Sequence, residues 1–201
     1  MKKVFAILCA VLMGTTVAHG ATIKDGLNPK QLRVYGEKQL VTAYVFTSFS
    51  CPHCTAFHEQ ILPELKKMVD AGKLQIVLVE MPYDPRAMTG TVLARCLPSK
   101  DYEKFSEAMY NNQKIWSYDP NPKPILIGYA KLLGMNDEKI NACLSNKELL
   151  KTITQQRDNL SDLYGVTGMP SMALVSDNKH ELFVGTDKEA ILSAVRQKVN
   201  F

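Results

Sequence analysis

The residues with the most distinctive chemistry are Cys51 and Cys54, which stand three positions apart with Pro52 and His53 between them. Two thiols at this spacing either close a small disulfide reversibly or bind one metal ion together. A helix that begins at the motif places the thiols near unpaired N–H groups and the positive end of the peptide dipoles, which favour negative charge. Cys51 gains most from this position, and a charged His53 adds to the effect. We therefore expect the pKa of Cys51 to lie below the ~8.5 of a free cysteine.

A low pKa at Cys51 has a consequence for the direction of exchange. The Cys51 thiolate is a good leaving group, so a substrate thiolate opens a Cys51–Cys54 disulfide easily and the couple is a stronger oxidant. The expected reaction begins with attack of a substrate thiolate on the Cys51 sulfur, which gives a mixed disulfide. A second substrate thiolate resolves it, while Cys54, the buried partner, resolves the same intermediate in the reverse direction.

Two other uses of the motif stay open on the residues alone. A structural disulfide suits an exported protein. A zinc site suits paired cysteines where a second compact Cys/His pair completes the tetrahedron. His58 follows Cys54 by four residues, but His180 stands alone, so these histidines form no second compact pair. His58 is therefore expected on a helix surface. No metal site and no cofactor are expected.

The elements that must position the motif are a strand before it and a helix after it. Residues 40–49 are rich in β-branched and aromatic side chains and predict a buried strand. Apolar residues then recur at helical spacing to about Asp70, with a kink expected at Pro63, and residues 73–81 predict a second strand. This β–α–β order favours a parallel pair of strands.

The rest of the chain divides into a helical middle and a mixed end. Residues 84–163 predict helices throughout, the first capped by Asp84 and later ones covering 101–113, 124–133, 136–144 and 146–163. Strand character returns at 171–175 and 181–184, joined by a turn at 176–179 that is longer than the tightest hairpins. A capping box at 186–189 opens a final helix. The pattern predicts an α/β domain with a helical insertion between two sheet-forming halves.

The first twenty residues read as a separate unit. Lys2 and Lys3 precede a short apolar run and a small-residue exit at Ala18-His19-Gly20. This pattern predicts a cleavable secretory signal peptide over residues 1–20, with an uncleaved anchor as the alternative. Its removal takes away two lysines and no acids, so the net charge falls from +4 to +2. Because the remaining charges form no long basic run, nucleic acid is not an expected partner.

At these residues the chain resembles the DsbA-like family of periplasmic disulfide oxidoreductases. Its active-site block is matched by Phe46-x-Ser48-Phe49-x-Cys51-Pro52-His53-Cys54, Phe57-His58 and Leu62-Pro63-x-Leu65. The helical insert of a disulfide-bearing subgroup is matched by Asp84-Pro85, Leu93-Ala94-Arg95-Cys96, Gln113-x-x-Trp116 and Ala142-Cys143-Leu144. The resemblance implies a thioredoxin fold interrupted by a helical domain. Residues 21–83 and 164–201 would form the thioredoxin-like domain, and residues 84–163 the insertion.

The resemblance also identifies Gly168-Met169-Pro170-Ser171 as the family's cis-proline loop, which faces the cysteines. It implies that Met169 and Pro170 bind the substrate backbone in an extended, strand-like way. Family members usually have a β-branched residue where this chain has Met169, so the redox potential and substrate release are expected to differ.

A second departure concerns the proton of Cys54. Six residues before the first cysteine, relatives usually carry a buried Glu or Asp, and this chain has Val45. Deprotonation of Cys54 must then depend on water or another group. We expect the reductase direction, in which Cys54 must ionise and attack, to be impaired more than the oxidase direction. A Val45→Glu variant that resolves its mixed disulfide no faster than the parent would contradict this.

The remaining cysteines are interpreted in the light of export. Five cysteines become four when Cys9 leaves with the signal peptide, and an even number suits disulfides. The resemblance and the compartment favour a second disulfide between Cys96 and Cys143 within the insertion, worth about 2–4 kcal/mol. The alternative is two buried thiols that pack as small apolar side chains.

The sequence therefore predicts a periplasmic, monomeric thiol–disulfide oxidoreductase that introduces disulfides into reduced exported proteins. The resemblance implies reoxidation by a DsbB-like membrane partner. A disulfide isomerase or a reductase of the same superfamily is the alternative. A binding or chaperone module without turnover is the alternative from another class, and it would survive the substitution Cys51→Ala.

Overall fold

The computed structural model describes residues 32–201. The predicted signal peptide and Cys9 lie outside the described residues. The strands are β1 Arg33–Tyr35, β2 Val41–Thr47, β3 Gln75–Glu80, β4 Ser171–Ser176 and β5 Lys179–Val184. The helices are α1 Pro52–Gln60, α2 Leu62–Asp70, α3 Pro85–Cys96, α4 Ser99–Asn111, α5 Gln113–Ser117, α6 Lys123–Leu132, α7 Asp137–Leu144, α8 Lys147–Tyr164 and α9 Lys188–Val199.

The five described strands form one sheet in the order β1-β3-β2-β4-β5. The central strand β2 is almost wholly buried, as its apolar run predicts for a strand covered on both faces. It pairs in parallel with β3, which confirms the expectation from the β–α–β pattern. The pairs β1–β3, β2–β4 and β4–β5 are antiparallel.

The alternating side chains of β2 supply two separate apolar cores. Val41, Ala43 and Val45 belong to the larger core, which includes residues of α1, α2, α4 and α9. Tyr44 and Phe46 belong to a smaller core that contains residues of α8. The sheet is thus the middle layer of three. The described chain between Glu80 and Ser171 contains six helices and no strand, which agrees with the helical character expected for this stretch.

The helix that follows the cysteine motif is interrupted more completely than the expected kink. α1 ends at Gln60, Ile61 has φ −108° and ψ −48°, and α2 then begins with Pro63 in its first turn. Pro63 has no N–H to donate to a carbonyl four residues earlier, and its ring crowds that carbonyl. The same residue is well suited to the first turn of a new helix. The chain therefore forms two short helices.

Two local predictions at the C-terminal end are wrong. The hairpin between β4 and β5 turns on Asp177 and Asn178 alone, both with positive φ, as a tight two-residue turn requires. The four-residue turn expected at 176–179 is therefore not formed, because Ser176 and Lys179 pair with each other. The cap of α9 is Asp187, whose carboxylate accepts the N–H of Ala190. The cap therefore lies one residue later than the capping box predicts. The carboxylate of Asp187 is favoured there because a negative charge interacts well with the N-terminal end of the helix dipole.

A disulfide links two helices of the helical segment, and a buried ion pair joins the segment to the sheet. Cys96 at the end of α3 and Cys143 in α7 are joined by a disulfide, with their Cα atoms 6.3 Å apart. A buried ion pair joins the sheet to the helices: both side-chain oxygens of Glu80, the last residue of β3, accept from Arg95 of α3. Tyr102 of α4 donates to the same carboxylate at 3.1 Å.

None of the helices within residues 32–201 combines the length and apolar character needed to cross a membrane.

Candidate active site

The two cysteines of the motif lie at the start of α1, with different exposure. Cys51 is the residue before the first helical position, in an extended conformation, and Pro52 opens the helix. The proline ring fixes φ near the helical value and needs no hydrogen-bond acceptor there. Cys51 is half-buried, and Cys54, one turn later, is completely buried. Both are free thiols, while Pro52 and His53 between them are exposed.

The surroundings of Cys51 favour its thiolate. A hydrogen bond from the Cys54 thiol is the largest cause that lowers the pKa of Cys51 to about 6. Backbone N–H groups of Cys54 and His53 and the charge of His53 act in the same direction, while partial burial opposes them. The pKa of Cys51 therefore lies below the ordinary value, in the direction that the motif predicts.

The surroundings of Cys54 have the opposite effect. Its hydrogen bond to Cys51, then burial and the negative charge at Cys51, raise the pKa of Cys54 far above the ordinary value. The backbone N–H of Ser48, 3.5 Å from the Cys54 sulfur, and the hydroxyl of Thr47 oppose this only in part. In the reduced pair the negative charge therefore lies on Cys51 and the proton remains on Cys54.

The loop before β4 lies opposite Cys51. The peptide bond between Met169 and Pro170 is cis, and the Cys51 sulfur lies 3.8 Å from the carbonyl oxygen of Met169. Two hydrogen bonds hold the loop, from the Ser171 hydroxyl to Gly168 and from the N–H of Gly185 to Pro170. The structure thus brings Met169 and Pro170 beside the exposed thiol, although they are 118 residues from it in the chain.

The helical segment fixes the residues just before Cys51 through two contacts that sequence reasoning missed. The side-chain amide of Gln113, at the start of α5, donates to the carbonyls of Phe49 at 2.7 Å and Cys51 at 3.0 Å. The hydroxyl of Ser50 donates to Asp84 at 2.6 Å. Asp84 was predicted only as a helix cap, which it also is. No spacing rule links residues so far apart, so the sequence holds no signal for these contacts.

A third residue without a sequence signal is Tyr83. Its side chain is 58 % exposed. Burial of the remaining part, and then its electrostatic interaction with the two active-site cysteines, raise the pKa of Tyr83. The phenol of Tyr83 is therefore part of the polar surroundings of the two thiols.

His58 lies deeper than the helix-surface position expected for it. Its ring is stacked on buried Tyr110 with 4.4 Å between the ring centroids. Burial, followed by the charge of Lys66, lowers the pKa of His58 to about 4. The expectation is corrected because α4 packs against α1 and places Tyr110 under the imidazole.

Within residues 32–201, no three His, Cys, Asp or Glu side chains form a cluster that could hold a metal ion.

Comparison with known proteins supplies the family. Residues 29–183 match the family model described as thioredoxin. A putative protein-disulfide oxidoreductase of Rickettsia bellii is 25% identical over 181 residues, which cover 89% of this chain and 69% of the relative. A protein of the same description from Rickettsia felis is 26% identical over 137 residues, covering 67% and 49%. The chain thus spans about half to two thirds of the length of these relatives.

Solved structures show the fold. The alpha-DsbA1 protein of Wolbachia pipientis has a TM-score of 0.75 at 21% identity, with 84% of this chain and 91% of that chain covered. BdbD from Bacillus subtilis, in its oxidised form, has a TM-score of 0.72 at 16% identity, with 87% and 96% covered.

These matches confirm the predicted α/β class, a thioredoxin fold with a helical insert. Its fold is that of the DsbA-type proteins. Because the family model matches more than half of its length, the chain belongs to the thioredoxin family.

Proposed function

We propose that the protein is a thiol–disulfide oxidoreductase that donates the Cys51–Cys54 disulfide to reduced exported proteins. The observation that carries the proposal is the split between the two thiols, with the pKa of Cys51 lowered to about 6 and that of buried Cys54 raised. The names of the Rickettsia relatives, putative protein-disulfide oxidoreductases, support the same activity.

The split fixes which sulfur the substrate attacks, and it favours the oxidase direction. A substrate thiolate attacks the half-buried Cys51 sulfur, because the Cys54 sulfur is inaccessible. In the dithiol product, negative charge at Cys51 is stabilised by neighbouring hydrogen bonds and by His53. Stabilisation of the reduced form makes the disulfide form the stronger oxidant. The substrate loses two electrons and the enzyme disulfide takes them up as one thiolate and one thiol.

Substrate recognition is proposed at the cis-proline loop. The Met169 carbonyl lies beside Cys51 at the edge of the site, where it can accept an N–H from an extended peptide. Backbone pairing of this kind gives affinity with little demand on sequence. A carbonyl acceptor also suits many different unfolded substrates, as a general disulfide donor requires.

Location and recycling are part of the proposal. The signal-like pattern of residues 1–20 supports export to the periplasm. There a DsbB-like membrane protein would reoxidise the dithiol form of a monomeric enzyme, a partner inferred from the family resemblance alone.

Two measurements test the function. Equilibration with glutathione buffers gives the redox potential, which we expect near the DsbA value of about −120 mV; a value near the thioredoxin value of about −270 mV would instead support a reductase. Alkylation of the reduced protein should show one thiol that titrates near pH 6, and Cys51→Ala should abolish both this thiol and the oxidation of a reduced test protein. Retention of that oxidation by Cys51→Ala would show that it does not pass through Cys51 and would overturn the proposal.

A further inference from the structure

The proposed exchange leaves one proton without an obvious route. The sulfur of Cys54 carries a proton in the reduced pair and no proton in the disulfide. Each cycle therefore moves one proton onto or off this sulfur. The side chain of Cys54 is 0% exposed. Val45, the position at which the family resemblance implies a carboxylate, is also buried and supplies no acid or base.

Polar side chains nevertheless continue inward from Cys54. Thr47, at the end of β2, precedes Ser48, whose N–H lies 3.5 Å from the Cys54 sulfur, and the Thr47 hydroxyl lowers the pKa of Cys54. The same hydroxyl lies 2.7 Å from the phenol oxygen of Tyr110 on α4, and this contact is buried. Because each hydroxyl both donates and accepts, the two can carry a proton in either direction without becoming ionised. Burial, the largest cause, raises the pKa of Tyr110 well above its ordinary value, which keeps this phenol protonated.

A small cavity lies beside these two hydroxyls. Thr47, Tyr110 and His58 all line it, and its volume is about 10 Å³, the lower limit for one water molecule. His58 also lines an open groove on the outside, together with Lys66 and Glu107. His58 therefore lies between the cavity and the groove, where one water molecule in the cavity would complete a path from Tyr110 to His58.

Glu80 lines the same cavity but is poorly placed to act as the proton acceptor. Both of its oxygens accept hydrogen bonds from Arg95, and one also accepts from Tyr102. Both oxygens of Glu80 are therefore already occupied as hydrogen-bond acceptors.

We propose that Thr47, Tyr110 and His58 form the proton route between buried Cys54 and solvent, in place of a carboxylate at position 45. This inference rests on the proposed function. When Cys54 attacks the mixed disulfide, its proton passes to the hydroxyl of Thr47. Thr47 passes its own proton to Tyr110, Tyr110 passes a proton to a water in the cavity, and the water passes one to His58. His58 then releases a proton to the groove. The Cys51–Cys54 bond forms, the bond from Cys51 to the partner sulfur breaks, and the partner leaves as a thiolate. In the oxidase direction the same path returns a proton to the departing Cys54.

The rate of Cys54 attack tests this route directly. Reduced protein is mixed with excess oxidised glutathione, quenched with acid and analysed by mass. The glutathione adduct on Cys51 forms first, and Cys54 then expels glutathione in a first-order step. We expect Thr47→Val and Tyr110→Phe each to slow this second step by about tenfold or more, with little change in adduct formation, which depends on Cys51.

Matched variants separate a proton route from loss of packing. Thr47→Ser keeps the hydroxyl and should recover most of the rate lost in Thr47→Val. Tyr102→Phe also removes a buried phenol of α4 that lines the cavity, but this phenol bonds to Glu80, so the second step should change by less than about twofold. His58→Ala should slow the step, and added imidazole should restore it, which a purely structural role of His58 would not produce.

The outcomes distinguish this inference from the function on which it rests. If the adduct forms and Cys54 expels glutathione equally fast in the parent, Thr47→Val and Tyr110→Phe, the route is wrong and the exchange function stands. The route is also wrong if Tyr102→Phe slows the second step as much as Tyr110→Phe does. It is wrong as well if added imidazole does not raise the rate of this step in His58→Ala. If the parent forms no adduct at Cys51, the proposed function itself fails.

Discussion

Cys51 and Cys54 carry the same side chain, and their surroundings alone give them different roles. Cys51 lies at the start of α1 with donors around it, while Cys54 lies in the core with no exposure. The thiol of Cys54 is also the main donor that stabilises the Cys51 thiolate. One hydrogen bond therefore lowers one pKa and raises the other, and it fixes which sulfur exchanges with substrate.

This split predicts how the stability of the reduced protein depends on pH. The pKa of Cys51 is about 6 in the folded protein, against an ordinary value of 9.0. A thiol whose folded pKa is depressed stabilises the fold fully above its unfolded pKa, and this contribution is lost as the pH falls through the folded value. The free energy of unfolding of the reduced form should therefore rise relative to the oxidised form between pH 6 and pH 9.

Urea unfolding of both forms across this range measures the effect, because the oxidised form has no thiol at residue 51 and cancels the other titrations. Above pH 9 the raised pKa of Cys54 acts in the opposite sense, since its unfolded form ionises there and its folded form does not. A difference between the two forms that stays flat from pH 6 to pH 9 would show that Cys51 is not stabilised as a thiolate.

At the scale of elements, the start of α3 is tied to the active-site loop. One oxygen of Asp84 accepts the N–H groups of Arg86 and Ala87 and so caps the helix. The other accepts the hydroxyl of Ser50, next to Cys51. The cap thus stabilises the helix and also positions the residue that precedes the nucleophile.

Substitution of Asp84 should therefore affect stability and reactivity together. Asp84→Ala is expected to lower the free energy of unfolding by about 1 kcal/mol through loss of the cap. It should also change the alkylation rate of Cys51. Asp187→Ala is the matched control, since Asp187 caps α9 through Ala190 and has no hydrogen bond to the active-site loop. It should cost a similar free energy and leave Cys51 unchanged; an equal change in both variants would refute the link.

The elements differ in how far the sequence could predict them. β2 and β3 were predictable because burial on both faces demands a continuous apolar run. β1 was not, since it has three residues, exposes Val34, and exists through its pairing with β3. The tight turn at Asp177 and Asn178 was missed because its neighbours Ser176 and Lys179 are polar strand residues that look like turn residues in a sequence.

At the scale of the whole molecule, the same distinction applies to the active site. The cysteine pair was predictable because its chemistry depends on neighbours in the chain. Gln113 and the Thr47–Tyr110 contact were not, since they join residues 62 to 64 positions apart. Glu80 and Arg95 are further examples, since nothing in the sequence marks these two charges as buried partners.

The Glu80–Arg95 pair connects the sheet with the helical segment, and it predicts strong coupling between the two. Both side chains are about 95% buried. Removal of one partner from such a pair leaves an uncompensated buried charge and costs about 3–5 kcal/mol. We therefore expect Glu80→Gln and Arg95→Met each to reduce the free energy of unfolding by roughly this amount. The double variant should lose far less than the sum, because it leaves no buried charge.

A double-mutant cycle by urea unfolding measures this coupling, which should be about 2 kcal/mol or more. The matched control is the exposed pair between Lys131 of α6 and Asp137 of α7, 2.6 Å apart. Its cycle should give less than about 1 kcal/mol, because solvent screens both charges. If the Glu80–Arg95 cycle gives a coupling as small as the exposed pair, the charges are solvated in solution. The helical segment would then be held on the sheet by apolar contacts and the loop hydrogen bonds of Gln113 and Asp84.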